Sequence, residues 1–332
     1  MHILQWCSVL KPIPEWPRSP KAASAITSGR YAEIMKEIAR GVAIVPTTVA
    51  NAYIVGDAQS WIMVDTCAPG NTQTIKEAAE ACFGPGAKPR AILLTHGHFD
   101  HAGSAPELAD LWKVKVYAQR MEFPFLTGRS SYPPLDTSAP GPFSFVARFF
   151  PSSTVNLGSR LVEWNGDFGQ FGLSAWQSVN TPGHTPGHVS FFRREDGILL
   201  AGDALCTVDL SSITGLFMKR QALSPPPTAA TYNWVQTRES VEKLAGLKPF
   251  LVAAGHGEPL PAAAVPLQKL AQNFPLPSHG RYVAESVRFD EGGITYLPPK
   301  PPDRLMRAAI GISAATFAIA AGSLLLFRSR KQ

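Results

Sequence analysis

The chain has 332 residues, of which 45% are hydrophobic and 17% are charged, so it carries too much apolar material for a disordered protein. Its formal net charge of +6 is concentrated at the two ends. Residues 1–40 carry +3 and residues 300–332 carry +5, whereas residues 41–299 carry −2. This distribution argues against the basic surface that nucleic-acid binding requires, and we predict no nucleic-acid partner.

The N-terminal 40 residues are predicted to be an extension that precedes the folded domain. Their short apolar start is broken by lysine and several prolines, so they lack the apolar core of a secretory signal peptide. The four cysteines of the chain lie far apart and include no C-x-x-C pair. This spacing favours free thiols in a reducing compartment over a disulfide framework.

From residue 41 onwards the pattern alternates between strands and helices. Two apolar runs, Val49–Val55 and Trp61–Asp65, are joined by Gly56-Asp57 and predict a hairpin. A helix is predicted over Thr74–Phe83, closed by a glycine and a proline. The remaining predicted elements are a loop over residues 124–142, a helix from about Ala229 to Leu247, and strands at Ala91–Thr95, Lys113–Ala118, Val189–Arg193, Ile198–Ala201 and Phe250–Ala253.

The decisive motif is the run THGHFDH at residues 95–101, directly after a predicted buried strand. It places three imidazoles and one carboxylate within six residues. In extended or turning backbone, His96 and His98 point to one side while Asp100 and His101 point to another. One loop can therefore supply ligands for two adjacent metal ions, and these ligand types suit zinc and also iron or manganese.

Further candidate ligands lie in a tight turn and at the ends of predicted strands. His184 belongs to the run TPGHTPGH at residues 181–188, where glycine allows the backbone to approach an ion closely. Asp203 and His256 each follow a predicted strand, and Asp65 ends an earlier one. Functional residues are often placed at such loop positions on a rigid scaffold, so these residues are expected to converge.

This ordered set resembles the metallo-β-lactamase superfamily of metallohydrolases, over about residues 41–260. The resemblance implies an α/β (α+β) fold, a four-layer αββα sandwich, which we assign to residues 41–285. It also implies that Asp65 and His188 support the metal ligands without binding the ions themselves. The implied ligands are His96, His98 and His184 for the first ion, Asp100, His101 and His256 for the second, and Asp203 as the bridge.

Within that superfamily, the bridging Asp203 resembles the thioesterase and lactonase branches, and residues 96–103 and 181–188 are most similar to the glyoxalase II group. The resemblance implies two zinc ions and a hydroxide between them that cleaves an ester, thioester or lactone bond of a small acyl substrate. Asp100 would orient the hydroxide and carry a proton to the leaving group. Cys206 stands where acyl-homoserine-lactone lactonases often carry tyrosine, which argues against that assignment.

Other activities of the same fold remain as alternatives at this point. The first is a mononuclear iron dioxygenase that oxidises persulfides, because that branch shares the motif residues. A β-lactamase is disfavoured because antibiotic-hydrolysing branches typically lack the bridging aspartate. A nucleic-acid phosphodiesterase is disfavoured by the charge of −2 over residues 41–299.

The C-terminal residues predict a membrane anchor. Residues 308–327 contain no charge and no proline, and a helix of this length spans about 30 Å, the thickness of the bilayer core. Basic residues flank both ends within residues 304–332, and residues 286–303 form a linker rich in proline and glycine. The sequence therefore predicts a single-pass transmembrane helix and a membrane localisation, with the catalytic domain in the cytoplasm.

Overall fold

The computed structural model of the protein describes residues 34–147, 155–210, 212, 218 and 220–300. The chain divides into two compact units, Met1–Leu297 and Pro298–Gln332, and every element below belongs to the first. The helices are α1 (Thr72–Phe83), α2 (Phe99–Ala102), α3 (Ala105–Trp112), α4 (Phe123–Leu126), α5 (Pro142–Val146), α6 (Trp234–Gly246), α7 (Ala264–Gln272) and α8 (Arg281–Ala284).

The strands form two large sheets and two small hairpins. The strands are β1 (Lys36–Ala39), β2 (Val42–Pro46), β3 (Asn51–Gly56), β4 (Trp61–Val64), β5 (Ile92–Leu93), β6 (Val116–Ala118), β7 (Leu161–Glu163), β8 (Trp176–Asn180), β9 (Val189–Arg193), β10 (Ile198–Gly202), β11 (Cys206–Val208), β12 (Gln221–Ser224), β13 (Leu251–Ala254), β14 (Leu260–Pro261), β15 (Arg288–Asp290) and β16 (Gly293–Tyr296). The hairpins are β11–β12 and β15–β16.

The first large sheet contains β1 to β7 in chain order. Its first four strands pair antiparallel, and β4 to β7 pair parallel through connections that contain the helices α1 to α5. The second sheet has the order β14-β13-β10-β9-β8, with only β10 and β13 parallel. The chain thus builds the sheets one after the other, and loops from both contribute to the site described below.

Three buried cores separate four layers. Ile54 belongs to a core shared by the first sheet with α1 and α3, whereas its neighbour Val55 belongs to a core between the two sheets. In the second sheet, Phe191 joins the core between the sheets and Phe192 packs with α6 and α7. Because successive side chains of a strand point to opposite faces, each sheet is covered on both sides. The layer order is helix, sheet, sheet, helix, as the sequence predicts.

Most predicted elements are present, with small shifts at their ends. The predicted hairpin of β3 and β4 forms, and its turn is closed by a hydrogen bond from the Asp57 amide to the Ser60 carbonyl (3.0 Å). The helix predicted from Ala229 begins only at Trp234. The Asn233 side chain accepts a hydrogen bond from the Gln236 amide (3.1 Å) and caps the helix there.

The predicted loop over residues 124–142 contains more structure than its proline and glycine content indicates. The helix α4 occupies its beginning and α5 starts at its end. Tyr132 lies between these helices, and its ring stacks on that of Phe125 in α4, with the ring centroids 4.1 Å apart. Aromatic packing orders this segment, because the two rings gain contact area that polar loop residues lack.

The β15–β16 hairpin lies within residues 286–303, which the sequence predicts to be a linker. Phe289 of this hairpin contacts the rings of Phe125 (5.9 Å between centroids) and Tyr232 (6.1 Å). Ile294 packs against the same small core, which also contains Tyr282. The beginning of the predicted linker is therefore part of the folded unit.

The prediction of a transmembrane helix is corrected by the structure. Across the described ranges, no helix combines the length and apolar character needed to cross a membrane. The longest of these helices, α6, has 13 residues. At about 1.5 Å per residue it reaches about 20 Å, short of a bilayer core of about 30 Å. Residues 308–327 themselves lie outside the described ranges. The described residues therefore form the α/β sandwich and contain no helix able to span a membrane, which corrects the predicted membrane-anchored fold and the predicted membrane localisation.

Candidate metal centre

The loop after β5 carries four of the predicted ligands. His96 is buried and lies in the irregular segment that leaves the strand. His98 has extended backbone and directly precedes α2, whose first turn contains Asp100 and His101. The change from extended to helical backbone between residues 98 and 99 turns the side chains to two sides. The structure thus separates the four ligands as the spacing predicts.

The first group of ligands consists of His96, His98 and His184. The Nε2 atom of His96 lies 3.1 Å from Nδ1 of His98, which lies 2.9 Å from Nε2 of His184. His184 reaches this point from the turn between β8 and β9. Three imidazole nitrogens therefore converge from two loops, an arrangement that can hold one divalent ion.

The second group consists of Asp100, His101 and His256. The Oδ2 atom of Asp100 lies 3.6 Å from Nε2 of His256 and 4.0 Å from Nε2 of His101. His256 follows β13 in the second sheet, and its Nδ1–H donates to the Val49 carbonyl (2.8 Å). This bond fixes the ring so that Nε2 faces the site.

Asp203 lies between the two groups and contacts both. Its Oδ2 is 3.6 Å from Nε2 of His184 and 3.1 Å from Nε2 of His256, while its Oδ1 is 3.5 Å from Nε2 of His101. The carboxylate follows β10 and is 2% exposed. All seven predicted ligands are therefore brought together around one carboxylate.

The donor set fits a bound metal. Nε2 of His101 and Oδ1 of Asp203 are buried and have no hydrogen-bond partner. A buried polar atom without a partner is costly, and a cation between them satisfies both. The imidazole nitrogens that point away from the site already form hydrogen bonds. Nδ1–H of His96, for example, donates to the Thr95 hydroxyl (3.0 Å). The inward nitrogens are thus left to act as ligands.

Asp65 holds the first loop in place through three hydrogen bonds. Its Oδ1 accepts from the Thr95 amide (2.8 Å), and its Oδ2 accepts from the Thr95 hydroxyl (2.8 Å) and from Nδ1–H of His101 (2.9 Å). Asp65 and Cys67 both have φ of 56°, in the left-handed region that side chains rarely adopt. This strain is concentrated beside the ligands, where it aims the Asp65 carboxylate.

His188 holds Asp203 instead of joining the ligand groups. Its Nε2 accepts a hydrogen bond from the Asp203 amide (2.9 Å), so its Nδ1–H donates to the Thr181 hydroxyl (2.8 Å). Both ring nitrogens are occupied by these bonds. His188 therefore anchors the backbone of Asp203 and is placed to support that residue from outside the two ligand groups.

Three further residues around the site are missing from the sequence prediction. The Tyr232 hydroxyl lies 3.1 Å from Nε2 of His98, and the Tyr132 ring lies 4.5 Å from the His98 ring. Glu122 is fully buried and accepts hydrogen bonds from the two histidine loops. Tyr132 stands in a predicted loop, whereas Glu122 and Tyr232 carry no local signal because their partners are distant in sequence.

Burial sets the protonation state of the first group. Burial, together with neighbouring histidines, lowers the pKa of His96, and burial lowers the pKa of His98 to about 4. These imidazoles are therefore neutral at pH 7, the form that binds metal. Burial also lowers the pKa of His101, but Asp203 and Asp100 outweigh it and raise the pKa well above its usual value. A bound cation would replace that proton.

We expect the metal-free protein to lose stability on acidification below about pH 6.5. Burial holds the pKa of His98 at about 4 and that of His188 at about 3 in the folded state, against 6.5 for a free imidazole. The unfolded chain therefore binds protons that the folded protein excludes. The free energy of unfolding falls with decreasing pH by up to about 1.4 kcal/mol per pH unit for each imidazole.

The measurement is thermal unfolding of chelator-treated protein between pH 7 and pH 4.5. His188→Gln removes one of these imidazoles and should make the decrease in stability shallower. The raised pKa of His101 acts only above pH 6.5, since the stability it contributes is lost as pH rises through the folded pKa. A constant or increasing stability between pH 6.5 and pH 5 would contradict the prediction.

Comparison with known proteins identifies the family. The sequence model of the Metallo-beta-lactamase superfamily matches residues 45–256, an interval that contains all seven candidate ligands. The chain belongs to the metallo-β-lactamase superfamily. The resemblance predicted from the motifs is thus confirmed, and the chain stands among metallohydrolases.

Three members of this superfamily illustrate the similarity. The probable metallo-hydrolase YflN of Bacillus subtilis is 36% identical over 228 residues, which cover 68% of this chain and 86% of that protein. The hydroxyacylglutathione hydrolase GloC of Haemophilus influenzae is 27% identical over 123 residues, covering 35% of this chain and 50% of that protein. The crystal structure of a beta-lactamase domain protein from Burkholderia ambifaria shares the fold, with a TM-score of 0.50 and 20% identity over 72% of this chain and 76% of that chain.

Proposed function

We propose that the protein is a hydrolase that binds two divalent metal ions and cleaves an ester, thioester or lactone bond. Zinc is the metal that suits these ligands best. The observation that carries this proposal is the position of Asp203, whose carboxylate lies between the two groups: Oδ2 faces His184 of the first group and His256 of the second, and Oδ1 faces His101 of the second. A carboxylate placed in this way is suited to bridging two ions. The similarity to a hydroxyacylglutathione hydrolase supports acyl chemistry.

The ligand groups differ in the charge that they offer. His96, His98 and His184 would hold the first ion with three neutral nitrogens, whereas the second group includes the carboxylate of Asp100. Two bound divalent ions lower the pKa of a water between them and polarise a substrate carbonyl. Zinc, iron and manganese all accept such ligands, and the metal content of the purified protein distinguishes them.

Asp100 is the residue placed to move a proton. Its side chain is 15% exposed, compared with 2% for both Asp203 and Asp65. Asp203 faces histidines with both oxygens, and Asp65 is held by the loop that it supports. Asp100 can therefore accept a proton at Oδ2 and pass it to the alkoxide or thiolate that leaves when the acyl bond of a substrate from solvent is cleaved.

The described thiols at positions 67 and 206 are poor nucleophiles. Burial raises the pKa of Cys67 to about 12 and raises that of Cys206 well above its usual value. Both are protonated at pH 7, and the thiolate is the reactive form. The sequence also contains no G-x-S-x-G nucleophile elbow. These observations favour attack by an activated water over covalent catalysis.

The test is a substrate panel applied to the full chain, with metal content measured on the same sample. The panel contains an ester, a thioester, a lactone, a β-lactam, a phosphodiester and a persulfide. We expect cleavage of one or more of the acyl substrates, loss of that activity on chelation, and recovery on adding Zn²⁺. A single iron with oxygen consumption on the persulfide would overturn the proposal, as would cleavage of the phosphodiester alone.

A further inference from the structure

Glu122 connects the two loops that carry the first group of ligands. Its Oε2 accepts a hydrogen bond from the Gly97 amide (2.9 Å), and its Oε1 accepts one from the Gly187 amide (2.7 Å). Gly97 lies between His96 and His98, while Gly187 lies in the turn that contains His184. One side chain thus bridges two loops that are about ninety residues apart in the chain.

The packing around Glu122 leaves room only for glycine at positions 97 and 187. A Cβ atom at Gly187 would lie 2.8 Å from Cγ of Glu122, and one at Gly97 would lie 2.6 Å from the Tyr132 hydroxyl. Both distances are below 3.0 Å, a separation that Cβ atoms in real proteins essentially never show. The two glycines therefore allow the carboxylate to approach the loop backbone closely.

Tyr132 extends this connection to a ligand side chain. Its hydroxyl donates to Oε2 of Glu122, and it also accepts from the Gly97 amide (3.0 Å). The Tyr132 ring packs against the His98 ring on one side and stacks on Phe125 on the other. The position of the His98 ring is thus tied through Tyr132 to the carboxylate.

A buried carboxylate is costly unless donors surround it. Burial raises the pKa of Glu122, and hydrogen bonds from Tyr132 and the amides of Gly187 and Gly97 act in the opposite direction. Glu122 is 0% exposed, and it forms hydrogen bonds with Gly97, Gly187 and Tyr132, none of which is a candidate ligand. Such a group is expected to act on the geometry of its neighbours.

We propose that Glu122 is a positioning residue that holds the His96–His98 loop and the His184 turn at the spacing required for the first metal ion. This inference rests on the proposed metal centre. The loss of Glu122 should affect only the first metal site, because other hydrogen bonds hold the second group. Asp65 binds His101, and the Val49 carbonyl binds His256. Loss of Glu122 should therefore weaken one metal site and leave the other.

The variant that tests this is Glu122→Gln. An amide has one oxygen, so it can accept from only one of the two glycine amides while its NH₂ group faces the other donor. We expect the affinity of the first site to fall by about 10- to 100-fold, the range for residues that orient metal ligands. Tyr132→Phe keeps the ring and loses only the hydroxyl, so it should weaken the same site less.

The two metal sites can be measured separately in two variants, each of which retains only one complete set of ligands. Co²⁺ alone is the probe, and its visible absorption reports binding. His256→Ala leaves the first group as the complete set, and His98→Ala leaves the second. Glu122→Gln should lower Co²⁺ affinity in the His256→Ala background and have no effect in the His98→Ala background. If Glu122→Gln does not fold, the same comparison with Tyr132→Phe decides.

The matched control is Asp136→Asn. Asp136 is also a buried carboxylate that accepts backbone hydrogen bonds, but from Ser138 (2.9 Å) and Arg281 (2.6 Å). Unchanged Co²⁺ affinity at the first site of Glu122→Gln would overturn the inference, as would equal weakening in both backgrounds and in the control. A wild-type protein that binds two ions but cleaves no acyl substrate would remove the proposed function and leave this inference standing.

Discussion

Asp203→Ala is expected to lose both metal ions and the proposed hydrolytic activity together. The Asp203 carboxylate lies 3.1 Å from Nε2 of His256, 3.5 Å from Nε2 of His101 and 3.6 Å from Nε2 of His184. Removing one member of a buried set of charges costs about 3–5 kcal/mol, which corresponds to a loss of affinity of roughly 10²-fold to several thousand-fold. Activity should fall at least as far, since neither ion would be held.

The comparison with Asp203→Asn separates charge from shape. Asparagine fills the same space and keeps one oxygen, so it should retain part of the metal affinity while losing the negative charge. Circular dichroism of the metal-free variants establishes that both fold. Metal analysis and the acyl substrate panel then give the result. An Asp203→Ala protein that keeps two ions and full activity would refute the bridging role.

Several candidate ligands of the metal centre can be located from the sequence because they lie at the ends of strands. Hydrophobic runs locate strands well, and His96, Asp203 and His256 each follow one. Packing of these strands then brings the three side chains to one end of the sandwich. Asp65 likewise ends a predicted strand, whereas the supporting role of His188 was implied only by the resemblance to the superfamily.

Glu122 illustrates what the sequence does not reveal. It is a single acidic residue in the segment after β6, and no spacing relates it to a histidine. Its role depends on two glycine amides that only the fold brings to it, Gly97 and Gly187. Partners of this kind are backbone atoms, which every residue has, so they leave no trace in composition or periodicity.

Composition and hydropathy are incomplete guides to structure in this chain. Proline and glycine content predicts an open loop, yet Phe125 and Tyr132 stack there and order it. Hydropathy predicts a membrane helix over residues 308–327, which lie outside the described ranges, and no helix within those ranges can span a bilayer. The composition of the segment after residue 123 misleads because it does not state what its aromatic side chains contact.

Gly255→Ala is expected to disrupt the site as strongly as the loss of a ligand. A Cβ atom at this position would lie 2.1 Å from Oδ1 of Asp203 and 2.4 Å from Cε1 of His101. The backbone has little freedom to withdraw, because the Gly255 amide donates to the Gly202 carbonyl (2.9 Å) and its carbonyl accepts from the Asn51 amide (2.8 Å).

The added methyl group of Gly255→Ala must therefore displace Asp203, His101 or both. A displacement of about 1 Å in a reacting group costs about 10²-fold in rate, so activity and affinity for the second ion should fall by at least this factor. Gly246→Ala is the control, since a Cβ at the end of α6 meets nothing within 4 Å. It should leave metal content unchanged and raise stability by about 0.5–1 kcal/mol. Normal metal content in Gly255→Ala would show that the bridging carboxylate tolerates displacement, which contradicts the geometry proposed for the two ions.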